Sequence, residues 1–186
     1  EAVVDELIKE ARTAWKNKRD KAAESGTDVH AILEGRIKTA IEKSNGFLIE
    51  EVDELPQVTH FVTWAIKNKV KFLASEKQVY SKSLFCAGTL DGLCEVDGKR
   101  FIFDIKTSKA IWNEAFYQMA AYRMLMEEMN EPKLDGAFVI RLGKDGKFNH
   151  DKDVQYRYDF ETDKNAFLAA LTIYRANATF ANNRRI

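Results

Sequence analysis

Apolar positions change period along the chain. Over residues 2–23, Val3, Leu7, Ala11 and Trp15 recur every four residues among charges, the spacing of an amphipathic helix. The stretch "SGTDVHAILEGRIKTAIEKS" restarts after Ser25-Gly26, with Thr27 or Asp28 as N-cap, and predicts a second helix to about Lys43. A third is expected at about 57–69, around Trp64 and Ile66. From residue 71 onward β-branched and aromatic residues dominate. Residues 71–81, 84–96 and 99–107 read as strands, and Asp97-Gly98 inside "VDGK" predicts a tight hairpin between the last two. A helix over 110–129 follows, stopped near Asn130 and Pro132. "GAFVIRL" (136–142) and "VQYRYDF" (154–160) predict two more strands around a polar loop with Asp145-Gly146. A helix over about 162–181 closes the chain.

The order α-α-α-β-β-β-α-β-β-α predicts an α/β (α+β) fold: a mixed sheet of about five strands flanked by helices, behind a helical N-terminal segment. With 186 residues, 45% of them hydrophobic, one domain over 1–186 is expected. Its parts would be a mainly helical 1–69, a sheet with the 110–129 helix over 70–160, and a C-terminal helix over 161–186.

No apolar run approaches the ~20 residues of a membrane span. The opening "EAVVDELIKEARTAW" lacks the basic start and apolar core of a secretory signal, and it lacks a Met, as expected of a fragment or processed product. Cys86 and Cys94 are eight residues apart on one expected strand, roughly 26 Å at ~3.3 Å per residue, too far for a disulfide. Free thiols in a reducing, cytoplasmic or nucleoid-associated setting are the expectation. Two cysteines are also too few for an all-cysteine zinc or iron–sulfur site within this chain, so no iron–sulfur cluster is expected. The 29 basic and 29 acidic residues cancel, which argues against non-specific coating of nucleic acid. Any phosphate-binding surface must be local.

The candidate chemistry lies in "KRFIFDIKTSK", Lys99 to Lys109. In a strand, Phe101, Phe103 and Ile105 share one face and Ile102, Asp104 and Lys106 the other. Charges enter a buried strand when they are paired or coordinate a metal. Asp91 in "AGTLDGL" precedes Asp97 by six residues and Asp104 follows Gly98 by six, so the hairpin makes them cross-strand neighbours. Two apposed carboxylates call for a cation, and hard oxygen ligands suit Mg²⁺ or Mn²⁺. Lys106 would set a positive charge beside it.

These residues make the chain resemble the PD-(D/E)XK nuclease superfamily, and within it the RecB-like exonucleases and the related CRISPR-adaptation nucleases. The resemblance spans about residues 26–122. It is carried in order by His30 in "GTDVHAILE", Glu76 in "SEKQVY", Asp91 in "GTLDG", Asp104 and Lys106 in "DIKTS", and Gln118 with Tyr122 in "YQMAAY". Leu90 stands where the superfamily's name has Pro; that Pro is often absent in this branch. The resemblance implies a restriction-endonuclease-like core and one or two Mg²⁺ or Mn²⁺ ions. Asp91, Asp104, the Ile105 backbone carbonyl and His30 would be the metal ligands. Lys106 would orient the attacking water and stabilise charge on the transition state. Gln118 and Tyr122 match the branch's Q-x-x-x-Y motif and share one helix face; Glu76 matches an upstream acidic position of some members.

The function so implied is a metal-dependent deoxyribonuclease, an exonuclease acting on DNA ends or single strands in recombination, repair or phage DNA metabolism, with a larger assembly as a conceivable setting. A structure-specific or restriction-type endonuclease is the alternative within the enzyme class, and a non-catalytic DNA- or protein-binding module the alternative outside it. No Walker-type lysine loop and no Ser/His/Asp or Cys/His arrangement competes. The plainer readings are a strand salt bridge for Asp104 and Lys106, a solvated charge for Glu76, and helix packing for Gln118 and Tyr122. His60 and His150 read as surface residues, and Trp15, Trp64 and Phe116 as core. Trp112 is the better base-stacking candidate. Lys16, Lys18, Arg19 and Lys21, with Arg184 and Arg185, are either solvated or phosphate contacts.

Overall fold

The computed structural model describes residues 29–51 and 53–183, with side chains up to Asn177. The expected helix over 2–23, the Thr27/Asp28 cap, Trp15, the Lys16–Lys21 basic cluster, Arg184 and Arg185 lie outside the described residues. A helix α1 over 29–43 is followed by α2 (Pro56–Lys67), whose Pro at the first turn gives up no intrahelical hydrogen bond. Strands β1 (Lys71–Ser81), β2 (Cys86–Val96) and β3 (Lys99–Lys106) form the meander the pattern predicts. Helix α3 (Asn113–Glu128) then crosses to β4 (Gly136–Arg141). A short α4 (His150–Asp153), β5 (Val154–Arg157) and α5 (Glu161–Asn183) complete the order.

The sheet runs β1-β2-β3-β4-β5, antiparallel except for the parallel pair β3–β4. That pair needs a crossover connection, and α3 supplies it. The result is the five-stranded mixed sheet flanked by helices of a restriction-endonuclease-like core. Period two assigns the faces. Phe101, Phe103 and Ile105 pack with Phe138 and Ile140 against Leu33 and Ile37 of α1 and Phe61 and Trp64 of α2. Ile102, Ala137 and Val139 pack on the other face against Phe116, Met119 and Ala120 of α3. Asp97 and Gly98 both take positive φ, +50° and +72°, as the two-residue hairpin turn requires.

Several expected boundaries move, each for a local reason. β2 begins at Cys86 rather than 84 because residues 81–85 form a loop gathered by one carboxylate. Glu128 accepts from Ser81 Oγ (2.5 Å), Lys82 N (2.7 Å), Ser83 N (3.1 Å) and Ser83 Oγ (2.7 Å). Those bonds hold the Glu128 carboxyl down to about 2. α3 starts at 113 rather than 110, after a bend in which Ser108 Oγ donates to the Ala110 carbonyl. β5 ends at 157 because Arg157 turns to Asp163 and Asn113, and Phe160 enters the core on the α3 face. The expected polar loop contains α4, capped by Asn149 and tied down where Asp153, 4% exposed, takes Arg141 Nη2 at 2.6 Å.

One expectation for a histidine is corrected. His60 is half-buried: its ring stacks on Phe148 and its Nε2 lies 2.9 Å from the Gly146 carbonyl oxygen, joining α2 to the 143–148 loop. His150 is exposed, and Trp64 and Phe116 are core. Cys86 and Cys94 are unpaired along β2.

Candidate active site

Three neighbouring strands each bring a carboxylate to the same level of the sheet. The β1–β2 ladder pairs Ser75 with Gly92 and Lys77 with Leu90, so Glu76 lies across from Asp91. The β2–β3 ladder ends at Gly92 paired with Phe103, and Asp91 and Asp104 follow directly. Equal distance from the Asp97-Gly98 turn thus translates into register. Beyond that rung, Ile105 N–H donates to Asp91 Oδ2 at 2.7 Å. The Ile105 carbonyl leaves β3 on the same edge as its N–H, facing the site.

The strands are also distorted here. Gly88 and Leu90 face α3, since Tyr122 lies against Gly88 and Leu90 joins the α3-side core. Two residues on, Gly92 backs onto Phe103 on the opposite face, and Leu93 is the one that faces α3. The alternation therefore slips at Asp91. On β1, Glu76 holds φ +49°, a left-handed conformation that costs a non-glycine residue on the order of 1–2 kcal/mol. Irregularities of this kind re-aim side chains beside functional sites.

Asp104 is 4% exposed. Lys106 Nζ donates to its Oδ1 at 3.0 Å and lies 2.8 Å from Oδ2, so the ammonium sits against both oxygens of a buried carboxylate. Burial first, and the charge of Asp91 second, push the Asp104 carboxyl up to about 6, against the pull of Lys106. The salt-bridge reading of Asp104 and Lys106 is thus half of what the geometry contains. The pair exists, and the same buried carboxylate also stands beside the charge of Asp91.

From α1, His30 Nδ1 stands 3.8 Å from Asp91 Oδ2. From α3, Gln118 Nε2 donates to the Tyr122 hydroxyl at 2.7 Å, so the two side chains act as one unit. Burial, then the negative charges of Asp104 and Asp91, raise the Tyr122 pKa and keep it a hydrogen-bond donor at neutral pH. Partial desolvation, then Asp91 and Glu34, raise Glu76 in the same way, with Lys38 opposing. His30, Asp91, Asp104, Lys106, Glu76, Gln118 and Tyr122 are therefore brought to one edge of the sheet. Trp112 is 64% exposed at the start of α3.

Sequence reasoning missed Glu34 and Lys38. They follow His30 at four-residue intervals on α1, ion-pair with each other, and both act on Glu76. The helical period counted forward from His30 was the signal available.

The donor types fit a hard divalent cation: two adjacent carboxylates, one of them buried, a backbone carbonyl on the same edge, and an imidazole at the margin. Among the described residues, no group of three or more His, Cys, Asp or Glu side chains is placed to hold a metal ion, so the side-chain carboxylates that meet here are the Asp91–Asp104 pair. No helix among the described residues is long and apolar enough to cross a membrane.

Comparison with curated proteins gives no match. A family model described as the PD-(D/E)XK nuclease superfamily matches residues 1–183, and nucleases of this superfamily generally work with divalent metal ions. With that match over nearly the whole length, on this sheet, the chain belongs to the PD-(D/E)XK nuclease superfamily.

Proposed function

We propose that the chain is a Mg²⁺- or Mn²⁺-dependent deoxyribonuclease of the RecB-like branch, an exonuclease acting on DNA ends or single strands in intracellular recombination, repair or phage DNA metabolism. The observation that carries this reading is the register that sets the buried Asp104 carboxylate beside Asp91, with the Lys106 ammonium against it.

Asp91, Asp104 and the Ile105 carbonyl would hold the ion, with His30 and Glu76 closing its flanks. A divalent ion at that position lowers the pKa of a water and draws charge from the phosphoryl oxygens. Lys106 is the positive charge that meets the phosphate: its side chain is 34% exposed, so it reaches solvent while anchored on Asp104. It stabilises the negative charge that grows on the non-bridging oxygens as water adds to phosphorus and the bond to the sugar oxygen breaks. The protonated Tyr122 hydroxyl and the Gln118 amide offer neutral donors to the same phosphate or to the attacking water. The His30 and Gln118/Tyr122 elements support the RecB-like branch over a restriction-type enzyme.

The test is hydrolysis of end-labelled linear DNA, single- and double-stranded, and of a closed circle, with Mg²⁺, Mn²⁺ or EDTA. Metal-dependent shortening of linear DNA only, reduced at least ~10²-fold by Lys106→Ala and by Asp104→Asn, is the expected result. Cutting of the circle would reassign the chain as an endonuclease. Binding of linear DNA without cutting in either metal would make it a non-catalytic module.

A further inference from the structure

The Gln118–Tyr122 pair has a second side. Away from the carboxylates it forms one wall of a cleft of about 380 Å³ between α3, α5 and the start of β2. Tyr117 and Tyr122 line it from α3, Phe167, Ala170 and Leu171 from α5, and Ala87 from β2. We infer that this cleft is a nucleobase subsite, taking one unpaired base of the strand whose phosphodiester is cut at Asp104 and Lys106. This rests on the nuclease reading above and adds to it the state of the DNA: the nucleotide beside the cut is unstacked.

Three observations support a base rather than a phosphate, and a general constraint excludes a paired duplex. The lining has aromatic rings from two helices but no Lys or Arg, so it offers stacking faces and no charge for a phosphate. Its polar groups include the Gln118 amide, the Glu114 carboxylate and the Tyr117 and Tyr122 hydroxyls, an acceptor and donor set suited to a base edge. Its volume falls in the range of small-ligand pockets, which combine apolar walls with a few polar groups. A base inside a duplex cannot enter a side cleft without leaving its stack.

Continuity with the site fixes which strand is meant. The Tyr122 ring covers Gly88 on β2, and Asp91 follows three residues later on that strand. In the other direction, the cleft's β2 wall begins at Cys86, and the preceding residue is Phe85, 93% exposed. Phe85 sits in the loop that Glu128 gathers, at φ +46°, so an exposed aromatic ring is presented from an anchored turn. From Asp91 to Phe85 is about 20 Å at ~3.3 Å per residue. A few nucleotides would span that length, running from the carboxylates past Tyr122 toward the exposed Phe85 ring.

The experiment measures binding with Mg²⁺ in the Lys106→Ala background, which keeps the carboxylates in place while hydrolysis plays no part. End-labelled single-stranded oligonucleotides are titrated by fluorescence anisotropy, one with all its bases and others with a single abasic site stepped along the strand. One abasic position is expected to weaken binding about tenfold. Ala170→Trp, which fills the cleft from the exposed side of α5, should weaken the intact strand by a similar factor and erase the abasic effect. Phe167→Ala, which opens a wall, serves as the second variant, with circular dichroism to check its fold; it should shrink the abasic effect. Equal binding of all strands by the chain with its cleft unaltered would overturn the inference, as would a folded Ala170→Trp that still discriminates. Loss of a chain dimer in Ala170→Trp, with no base effect, would assign the cleft to a second copy instead. Failure of the nuclease reading would show separately, as intact DNA in both metals.

Discussion

Asp104 is a carboxylate kept where the metal-free protein is better off without its charge. Its ordinary pKa of 3.8 is raised to about 6, by burial and then by Asp91. Between those values the folded chain binds more protons than the unfolded one, so unfolding free energy falls as pH rises from about 4 to about 6. At neutral pH the full penalty is present, at most about 3 kcal/mol, and loss of the Lys106 partner takes back part of any gain from removing it. Asp104→Asn keeps the shape and deletes the charge. In EDTA at pH 7.5 it should therefore raise the thermal midpoint, with a stability gain on the order of 1–3 kcal/mol that vanishes toward pH 4. Added Mg²⁺ should stabilise the natural chain and leave the variant unmoved. A lower midpoint for the variant at pH 7.5 would mean that the Lys106 ion pair outweighs desolvation.

At the scale of elements, the placement of α3 on β2 decides whether Gln118 and Tyr122 reach the carboxylates. Gly88 is the contact that sets it: a Cβ there would lie 2.6 Å from Tyr122 Cε1 and 3.2 Å from its hydroxyl oxygen. Gly88→Ala must push the ring or the helix away, at about 1–3 kcal/mol in stability. DNA hydrolysis should fall at least about tenfold, because the displaced groups are the site's neutral donors. Gly35→Ala on α1 is the control: its Cβ meets nothing within 4 Å, and it should stabilise by about 0.5–1 kcal/mol with activity unchanged. This contact also marks the limit of what the sequence made legible. Hairpin symmetry about Asp97-Gly98 was enough to bring Asp91 beside Asp104, and period two was enough to give Phe101, Phe103 and Ile105 one face. Period two could not foresee the slip at Asp91 or the left-handed turn at Glu76, because each is a local departure from the repeat on which the reading depends. Glu34 lies one helical turn beyond His30, so the period of α1, not that of the strands, was the signal for it. The Glu128 cluster joins residues more than forty positions apart, and no local pattern announces it.

Across the whole molecule, charge is balanced at 29 against 29, so attraction to DNA has to be created locally. The candidate site begins with the wrong sign. Asp91, Asp104 and Glu76 share one level of the sheet and Glu34 adds to them, against His30, Lys38 and Lys106. A phosphate approaching the metal-free edge meets net repulsion. An ion seated on Asp91 and Asp104 reverses this, so metal and DNA should bind with positive coupling, each raising the other's affinity by the same factor. Lys106→Ala is the background in which to see it, since it leaves the carboxylates in place while stopping hydrolysis. In that variant, Mg²⁺ should tighten binding of a labelled single-stranded oligonucleotide about tenfold or more by anisotropy. Adding Asp91→Asn and Asp104→Asn should do two things together: raise affinity without metal, because the repulsion is gone, and abolish the Mg²⁺ increment. If the doubly neutralised site binds DNA no better in EDTA and still responds to Mg²⁺, the ion acts elsewhere on the molecule and these two aspartates are not what holds it.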